Sequence, residues 1–327
     1  MTRKINNSYE LGQSNAPTDG GDMLKTRADG TLVWEGVADT TFEPWVFQGS
    51  NSGFTAGGEP SSASTVIDKF SFSSNTTATD HGDLSVGRWG IKGTGQSSST
   101  EGFTSGGNTG SVVTTIDKFS FTSNTTASSH GDLSVARYNG SGTSSSTDGF
   151  VAGGFLSGYT NSIDKFAFSS NTTSSDHGDL TEARRGSGQS SSTHGFHSGG
   201  WSGSYHTTID KFAFTSNTTA SDHGDISVAR RDVVGQSSTD YGFTSGGNTS
   251  ADTIDRFAFS SNVTATDWGN LSGTRAKPSG QSQTDYGFTS GGETVNTIDK
   301  FSFTSNTTAS DHGDLSVARA DGGGTQY

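Results

Sequence analysis

The segment Ser162-Ile163-Asp164-Lys165-Phe166-Ala167-Phe168 decides the fold, because close copies of it occur six times in the chain. A Gly-Asp-Leu-like phrase follows every copy at the same distance, so differences in repeat length lie elsewhere. Repeats of 44 to 49 residues indicate units that each pack on the next one along the chain. The copies begin at Ile67, Ile116, Ile163, Ile209, Ile254 and Ile298.

The segment itself predicts a strand that is buried on both sides. Side chains alternate between the two faces of a strand, so Phe166 and Phe168 share one face and Ile163 lies on the other. Of the 21 Phe residues, 18 occupy equivalent repeat positions, which indicates packing between neighbouring units. Each unit divides into four short β-rich segments separated by turn residues, the pattern of a four-stranded antiparallel meander. The sequence therefore predicts an all-β protein, a β-propeller with six blades of about 46 residues.

Composition excludes several classes of protein. The chain has 47 Gly, 27% hydrophobic residues and no Cys, so disulfides, cysteine-ligated metals and thiol nucleophiles are ruled out. The formal net charge of −13 argues against a nucleic-acid partner, which requires neutralised phosphates. No stretch has the length and hydrophobicity of a membrane span, and the first ten residues lack the apolar run of a secretory leader. We expect no membrane insertion.

The repeat resembles a kelch-type propeller between residues 45 and 319. From Arg137 to Arg184 the shared order is a small-residue strand, an apolar strand ending in Gly-Gly, an apolar-Asp-x-aromatic strand and a Gly-Asp-Leu strand. The resemblance implies one six-bladed kelch-like propeller over residues 45–327. The chain departs from the kelch pattern where Trp usually opens the fourth strand, since only Trp268 keeps it. The other repeats have His there, namely His81, His130, His177, His223 and His312.

The near-identity of residues 216–225 and 305–314 resembles propellers in appendage proteins of tailed phages, especially marine phages. Residues 20–34 also resemble an N-terminal phrase of phage tail fibres, two short strands joined by a turn, here at Asp29-Gly30. The resemblance implies that residues 1–44 form a virion-attachment or oligomerisation segment. An equally compatible interpretation is a flexible leader that caps the propeller.

The repeated polar residues are interpreted as structural. Trp268 and Asn270 replace the His and Asp of the other repeats, so we expect packing and a turn there, and no metal site. Each repeated Arg, near a carboxylate of the Asp83 type, is expected to form an inter-blade ion pair or to donate hydrogen bonds at a strand end. The Ser-Asn-Thr-Thr phrases are expected to be turns between the third and fourth strands, where Asn tolerates a left-handed backbone and binds its own chain. With no symmetry-breaking catalytic motif recognised, we expect no catalytic residue, no cofactor and no enzymatic activity.

The repeats differ mainly after each Gly-Gly pair and after each Arg. In an antiparallel blade these two connections emerge on the same side, so we expect the differences to map to one face of the disc. Amphipathic aromatic side chains there suit recognition of glycans or protein. The candidate ligand-binding residues are Trp89, Tyr138, Phe155, Tyr159, Trp201, Tyr205 and His206.

The ring must also close. Internal repeats take 11 to 14 residues from Arg to the next Gly-Phe, whereas only eight follow Arg319. We therefore expect residues 45–52 to supply the first strand of the first blade, with the C-terminal tail beside it and the N-terminal segment leaving away from the variable loops.

Taken together, the resemblances imply a virion structural protein, a tail, collar or head fibre that presents one propeller face to host-surface glycan or protein. Its other expected partners are virion proteins bound through residues 1–44 and further copies of the chain in a homo-oligomer. Two alternatives stay open. One is a non-viral kelch-like interaction module, and the other a glycan-degrading propeller enzyme.

Overall fold

The structure is a computed structural model that describes residues 47–59, 61–248, 252–293 and 295–327, together with the backbone of 22–26 and 32–36. The described residues contain strands and no helix. Consequently no described helix has the length and hydrophobicity needed to cross a membrane. The chain divides into two compact units, Met1–Trp45 and Val46–Tyr327.

The second unit is built from short strands of three to nine residues. The strands of both units, in chain order, are β1 (Asp22–Thr26), β2 (Leu32–Gly36), β3 (Ser52–Ala56), β4 (Val66–Ser71), β5 (Thr79–Asp83), β6 (Gly95–Ser97), β7 (Glu101–Ser105), β8 (Thr115–Ser120), β9 (Ser128–Asp132), β10 (Ser141–Ser144), β11 (Asp148–Ala152), β12 (Ser162–Ala167), β13 (Ser175–Asp179), β14 (Arg185–Ser190), β15 (His194–Trp201), β16 (Tyr205–Ala213), β17 (Ser221–Asp225), β18 (Val234–Ser237), β19 (Tyr241–Ser245), β20 (Thr253–Ala258), β21 (Thr266–Asn270), β22 (Ser279–Ser282), β23 (Tyr286–Ser290), β24 (Thr297–Ser302), β25 (Ser310–Asp314) and β26 (Gly323–Gln326).

These strands form six four-stranded antiparallel sheets, the blades of a propeller. Blade 1 has the order β26-β3-β4-β5, and blades 2 to 6 follow as β6–β9, β10–β13, β14–β17, β18–β21 and β22–β25. The first strands of neighbouring blades lie against one another and surround the axis. The predicted all-β fold with six four-stranded blades is confirmed.

The ring closes through the C-terminus. Gly323 pairs with Ala56 and Gln326 with Gly53, so β26 is the inner strand of blade 1. The expectation that residues 45–52 supply this strand is wrong, because inner strands need only three to six residues and the C-terminal tail is long enough. Residues 47–49 lie instead at the ends of inner strands, where the Gly49 N–H donates to the Ser282 carbonyl oxygen at 2.8 Å.

The core consists of six apolar clusters, one between each pair of neighbouring blades. Phe103 and Ile116 of blade 2, for example, pack against Phe166 and Phe168 of blade 3. Phe166 is 2% exposed, and the rings of Phe103 and Phe168 stack with centroids 4.7 Å apart. Ile163, on the other face of the same strand, packs toward blade 4. The predicted strand with two buried faces is confirmed.

Each repeated Arg forms an ion pair with the next blade, but not with the predicted carboxylate. The Arg137 guanidinium lies 3.1 Å from Asp164, the Asp of the Ile-Asp phrase in blade 3. Ser134 donates its N–H and its Oγ to the same carboxylate at 2.8 and 2.7 Å. The Asp83-type residue Asp132 instead accepts a hydrogen bond from Thr114 of its own blade. The equivalent pairs are Arg88–Asp117, Arg184–Asp210, Arg230–Asp255, Arg275–Asp299 and Arg319–Asp68.

The repeated His and the single Trp make the same contact. His130 Nε2 lies 2.9 Å from the Ala167 carbonyl oxygen of the next blade, and Trp268 Nε1 donates to the Ser302 carbonyl oxygen at 2.8 Å. A carbonyl oxygen only accepts, so the histidine must carry its proton on Nε2. Within the described residues, no three His, Cys, Asp or Glu side chains are grouped as metal ligands.

The phrase that contains these His residues, Asp-His-Gly-Asp in four repeats and Ser129-His130-Gly131-Asp132 in another, is not a turn as predicted. It lies inside the outermost strand of each blade, where the register shifts between the pairs Thr115–Asp132 and Asp117–Ser129. Gly131 has a φ of 107° at this bulge, a backbone region in which glycine avoids steric strain. The phrase therefore bends the outer strand and directs His130 toward the next blade.

The repeated Asn residues also connect blades. Asn124 lies in the turn between β8 and β9, as predicted, but its Nδ2 donates to the Asp80 carbonyl oxygen of blade 1 at 3.1 Å. Its φ angle is not in the left-handed region. The expected bond to its own chain segment is therefore wrong. The same inter-blade bond is made by Asn75, Asn171, Asn217, Asn262 and Asn306.

In the first unit, β1 and β2 form an antiparallel pair in which Leu24 lies opposite Trp34. This pairing fits the two short strands predicted there. The predicted Asp29-Gly30 turn and the remainder of residues 1–44 lie outside the described residues.

Candidate functional site

One side of the propeller, which we call the variable face, carries the connections that enter each blade and those between its second and third strands. These connections pair with each other: Trp89 bridges Asn108, and Tyr138 bridges Phe155. In blade 4 the same pairing joins Arg185 to Trp201. The predicted candidate residues therefore lie on the same side of the ring.

Four of the candidates form one aromatic run across blades 2 and 3. The ring centroids of Trp89 and Tyr138 are 5.5 Å apart, those of Tyr138 and Phe155 5.7 Å, and those of Phe155 and Tyr159 5.0 Å. Every contact is edge to face, an arrangement that leaves part of each ring open to solvent. All four side chains are half-buried.

Two further candidates form a second cluster on blade 4. The Trp201 and Tyr205 rings lie 4.8 Å apart, on a hairpin that is longer than its counterparts because β15 and β16 extend to eight and nine residues. The Arg231 guanidinium lies 4.9 Å from the Trp201 ring centroid, a cation–π distance. Asn248 donates to the Tyr205 hydroxyl at 3.3 Å. Sequence reasoning missed Arg231, although it stands directly after a repeated Arg, in a variable segment.

The seventh candidate, His206, has a different environment. Its Nε2 lies 2.6 Å from Ser202 Oγ, and its Nδ1 lies 3.4 Å from Glu182 Oε2. Burial lowers the pKa of His206, while Glu182 opposes the change and Arg184 adds to it. Ser202 and Glu182 were not predicted. Ser202 reaches His206 across the tip of one hairpin, whereas the proximity of Glu182 depends on how blades 3 and 4 meet.

Sequence analysis also missed a second feature, which lies where the variable face meets the propeller axis. The residue two positions after the repeated Arg has a left-handed backbone in five of the six connections, the exception being Gly186 in β14. Lys92 reaches Asp232 at 3.0 Å, although the two belong to blades on opposite sides of the ring. Both side chains are buried, so this end of the axis is filled by charged groups. The left-handed residues are Gly90, Asn139, Asp232, Lys277 and Asp321.

The opposite side, the turn face, carries the connections between first and second and between third and fourth strands. A groove of about 440 Å³ lies there between blades 4 and 5, with Thr193, His194, Lys211 and Tyr241 in its lining. The Ser-Ser-Thr phrase beside it recurs in other repeats. The position of His194 and Tyr241 does differ between blades, with Ser52, Glu101, Asp148 and Tyr286 at the equivalent places, but on the variable face whole connections differ.

No protein-family model matches this chain, and a search among curated proteins found no match for it.

Proposed function

We propose that this protein is a virion structural protein of a tailed phage, a tail, collar or head fibre in which a kelch-like propeller presents its variable face to host-surface glycan. The observation that carries the proposal is the pair of aromatic clusters on that face. Six nearly identical blades supply a rigid support, and the side chains that differ between blades are concentrated at one surface.

The chemistry of the clusters supports a carbohydrate ligand. The C–H faces of sugar rings pack on aromatic rings, and Trp201 and Tyr205 are only partly buried. Arg231 adds donor groups beside these rings, and it remains 34% exposed although its Nε lies 3.3 Å from Asp232. A guanidinium held in this way suits a carboxylate or a hydroxyl pair of a bound sugar.

The proposed attachment to the particle rests on the position of the N-terminal side. Residues 47–49 meet the ring at the ends of β18 and β22, on the turn face, where the Gln48 side chain donates to the Ser237 carbonyl oxygen. Residues 47–49 thus lie on the side of the propeller away from the aromatic clusters. We propose that residues 1–44 bind other virion proteins and mediate homo-oligomer formation.

The test is binding of the purified protein to an array of bacterial surface polysaccharides. We expect Trp201→Ala with Tyr205→Ala to weaken the binding about 30-fold, the effect of losing an interface hot spot. The matched control is Tyr241→Ala with Tyr286→Ala, which removes two aromatic rings that also lie beside cations but on the turn face. Equal loss in both double variants, or no binding to any polysaccharide and no adsorption to cells, would count against the proposal.

A further inference from the structure

We propose that Ser202, His206 and Glu182 act as nucleophile, general base and positioning carboxylate in the hydrolysis of an acyl ester. Ser202 Oγ lies 2.6 Å from His206 Nε2, and Glu182 Oε2 lies 3.4 Å from His206 Nδ1. The nucleophile and the base are thus within hydrogen-bonding distance, and the third group lies beside the other ring nitrogen.

Two of these residues break the repeat pattern at one place. Position 182 is Val in four other repeats and Gly in the fifth, and those valines are about half exposed. His206 stands three residues before Ile209, a position at which no other repeat has His. Ser202 lies at the tip of the lengthened hairpin between β15 and β16. A repeat scaffold has no need of such changes, and they converge on one point between blades 3 and 4.

Access separates this group from a second Ser–His pair. Ser141 Oγ and His197 Nδ1 are also 2.6 Å apart, but both residues are fully buried, so no substrate can reach them. Ser202 is half-buried, and the Glu182 side chain is 55% exposed. The Ser202 group therefore meets solvent at the variable face.

The protonation state suits a base. Burial lowers the pKa of His206, Glu182 raises it and Arg184 lowers it further, with a net decrease. The lowered pKa favours the neutral imidazole, the form that can accept the Ser202 proton on Nε2. The N–H groups of Gly203 and Ser204 make no hydrogen bond within the described part of the chain, so they remain available as donors.

The reaction balances with water as the only co-reactant. Ser202 Oγ forms a bond to the acyl carbon while its proton moves to His206 Nε2, and a tetrahedral oxyanion results. The carbon–oxygen bond to the alcohol breaks, and the alcohol leaves with the proton from His206. Water then attacks the acyl group on Ser202, gives its proton to His206, and releases the carboxylic acid as Ser202 regains its proton.

The side chains beside Ser202 indicate which kind of alcohol the ester contains. Trp201 and Tyr205 flank Ser202 in sequence and stack 4.8 Å apart, so a sugar ring bound there would place an O-acyl group near Ser202 Oγ. The substrate class is an O-acylated carbohydrate. This assignment of the alcohol rests on the proposed function, whereas the hydrolytic chemistry does not.

The chemistry is tested first with a fluorophosphonate probe on the full chain, followed by mass spectrometry of the labelled peptide. We expect labelling at Ser202, its loss in Ser202→Ala and His206→Gln, and its retention in Ser192→Ala, an exposed serine of the turn face. An unlabelled wild-type protein, or label that persists in Ser202→Ala, would overturn the proposal. Circular dichroism of each variant checks that the propeller remains folded.

Steady-state hydrolysis of 4-nitrophenyl acetate then tests the positioning role of Glu182. Glu182→Gln should lower kcat about tenfold or more without a comparable change in KM, and Glu182→Asp should restore part of the rate. Equal rates for wild type and Ser202→Ala would refute the catalytic assignment. Acetate release from an O-acetylated polysaccharide tests the carbohydrate separately, since a protein that hydrolyses only the small ester would retain the chemistry and lose the sugar assignment.

Discussion

At the scale of single residues, the repeat conserves a hydrogen-bond donor rather than a residue type. Histidine in five blades and Trp268 in the other each present a flat ring and one N–H to a carbonyl oxygen of the next blade. Trp268 additionally lies under Arg256, whose Cζ is 3.6 Å from a ring centroid. This position is therefore a link between blades.

This equivalence predicts the outcome of two substitutions at one site. His130→Phe keeps the ring but leaves the Ala167 carbonyl oxygen unpaired, and we expect a loss of about 1–3 kcal/mol in the free energy of unfolding. His130→Trp keeps the donor and should cost less than half as much. Urea denaturation of both variants measures the difference, and equal losses would mean that ring size, not the hydrogen bond, controls the site.

A second residue-scale prediction concerns pH. Burial raises the pKa of Asp321 from 3.8 to about 6, Lys92 and Lys277 oppose the rise, and Asp232 and Glu59 add to it. Because the folded pKa exceeds the unfolded one, this carboxyl stabilises the fold most below pH 4, and the contribution is lost as the pH rises through 6. We expect Asp321→Asn to raise stability at pH 7 by up to about 3 kcal/mol.

The matched control for that substitution is Asp232→Asn. The pKa of Asp232 is lowered, because its cationic neighbours Lys92, Arg185 and Arg231 together outweigh its desolvation. Loss of this carboxylate should therefore destabilise the protein at pH 7. Chemical denaturation at pH 5 and pH 7 would contradict the account if both substitutions changed stability in the same direction.

At the scale of elements, the inner strands approach each other so closely that each needs a glycine. A Cβ built on Gly235 would overlap the carbonyl oxygen of Gly188 in the neighbouring blade. Serines in the same strands tie the ring together, as where the Ser190 N–H donates to Ser237 Oγ at 2.9 Å. The close-contact glycines are Gly95, Gly142, Gly188, Gly235, Gly280 and Gly324.

We accordingly expect Gly235→Ala to destabilise the protein by about 1–3 kcal/mol or more, because the backbone must shift to admit a methyl group. Gly273→Ala serves as the control, since a Cβ there meets nothing within 4 Å and its φ is not positive. That control should change stability by less than about 0.5 kcal/mol. A thermal melt that shows no difference between the variants would disprove the close approach.

The repetition of one unit explains how much of the fold and of the candidate site could be predicted from the sequence. Phe166 and Ile163 lie on opposite faces of one strand, so the sequence of a single segment already predicts that both faces are buried. The number of copies of that segment predicts the number of blades, and the order of segments within a repeat predicts the strand order. The partner of Arg137, the direction of Asn124 and the closing strand depend on contacts between blades, which no single repeat encodes. Among the site residues, aromatic side chains in variable loops were found by their type. Ser202 becomes recognisable only when the β15–β16 hairpin is formed, and Glu182 only when blades 3 and 4 are in contact.

At the scale of the whole molecule, closure joins the last strand to the first blade. Asp68 of blade 1 pairs with Arg319 at 2.8 Å, and the apolar cluster of Phe70 and Phe72 with Phe288 seals blades 1 and 6. The ends of the propeller are thus held by the same contacts as its interior. Stability should depend on β26 far more than its four residues suggest.

Deletion of residues 322–327 tests that dependence. It leaves β3 without an inner neighbour and removes the Thr325–Phe54 pairing, so we expect a large decrease in melting temperature and a loss of the single cooperative transition. Deletion of residues 1–44, which belong to a separate compact unit, should preserve the transition of the propeller. Similar melting curves for the two truncations would contradict closure by the C-terminal strand.

The central claim is that a symmetric scaffold presents one asymmetric recognition face. Hydrogen–deuterium exchange of the protein with and without its tightest-binding surface polysaccharide measures this most directly. We predict protection in residues 89–92, 138–140, 155–160 and 201–206 and unchanged exchange in the connections of the turn face. Protection confined to the turn face, for instance at residues 191–194 and 239–241, would contradict the claim.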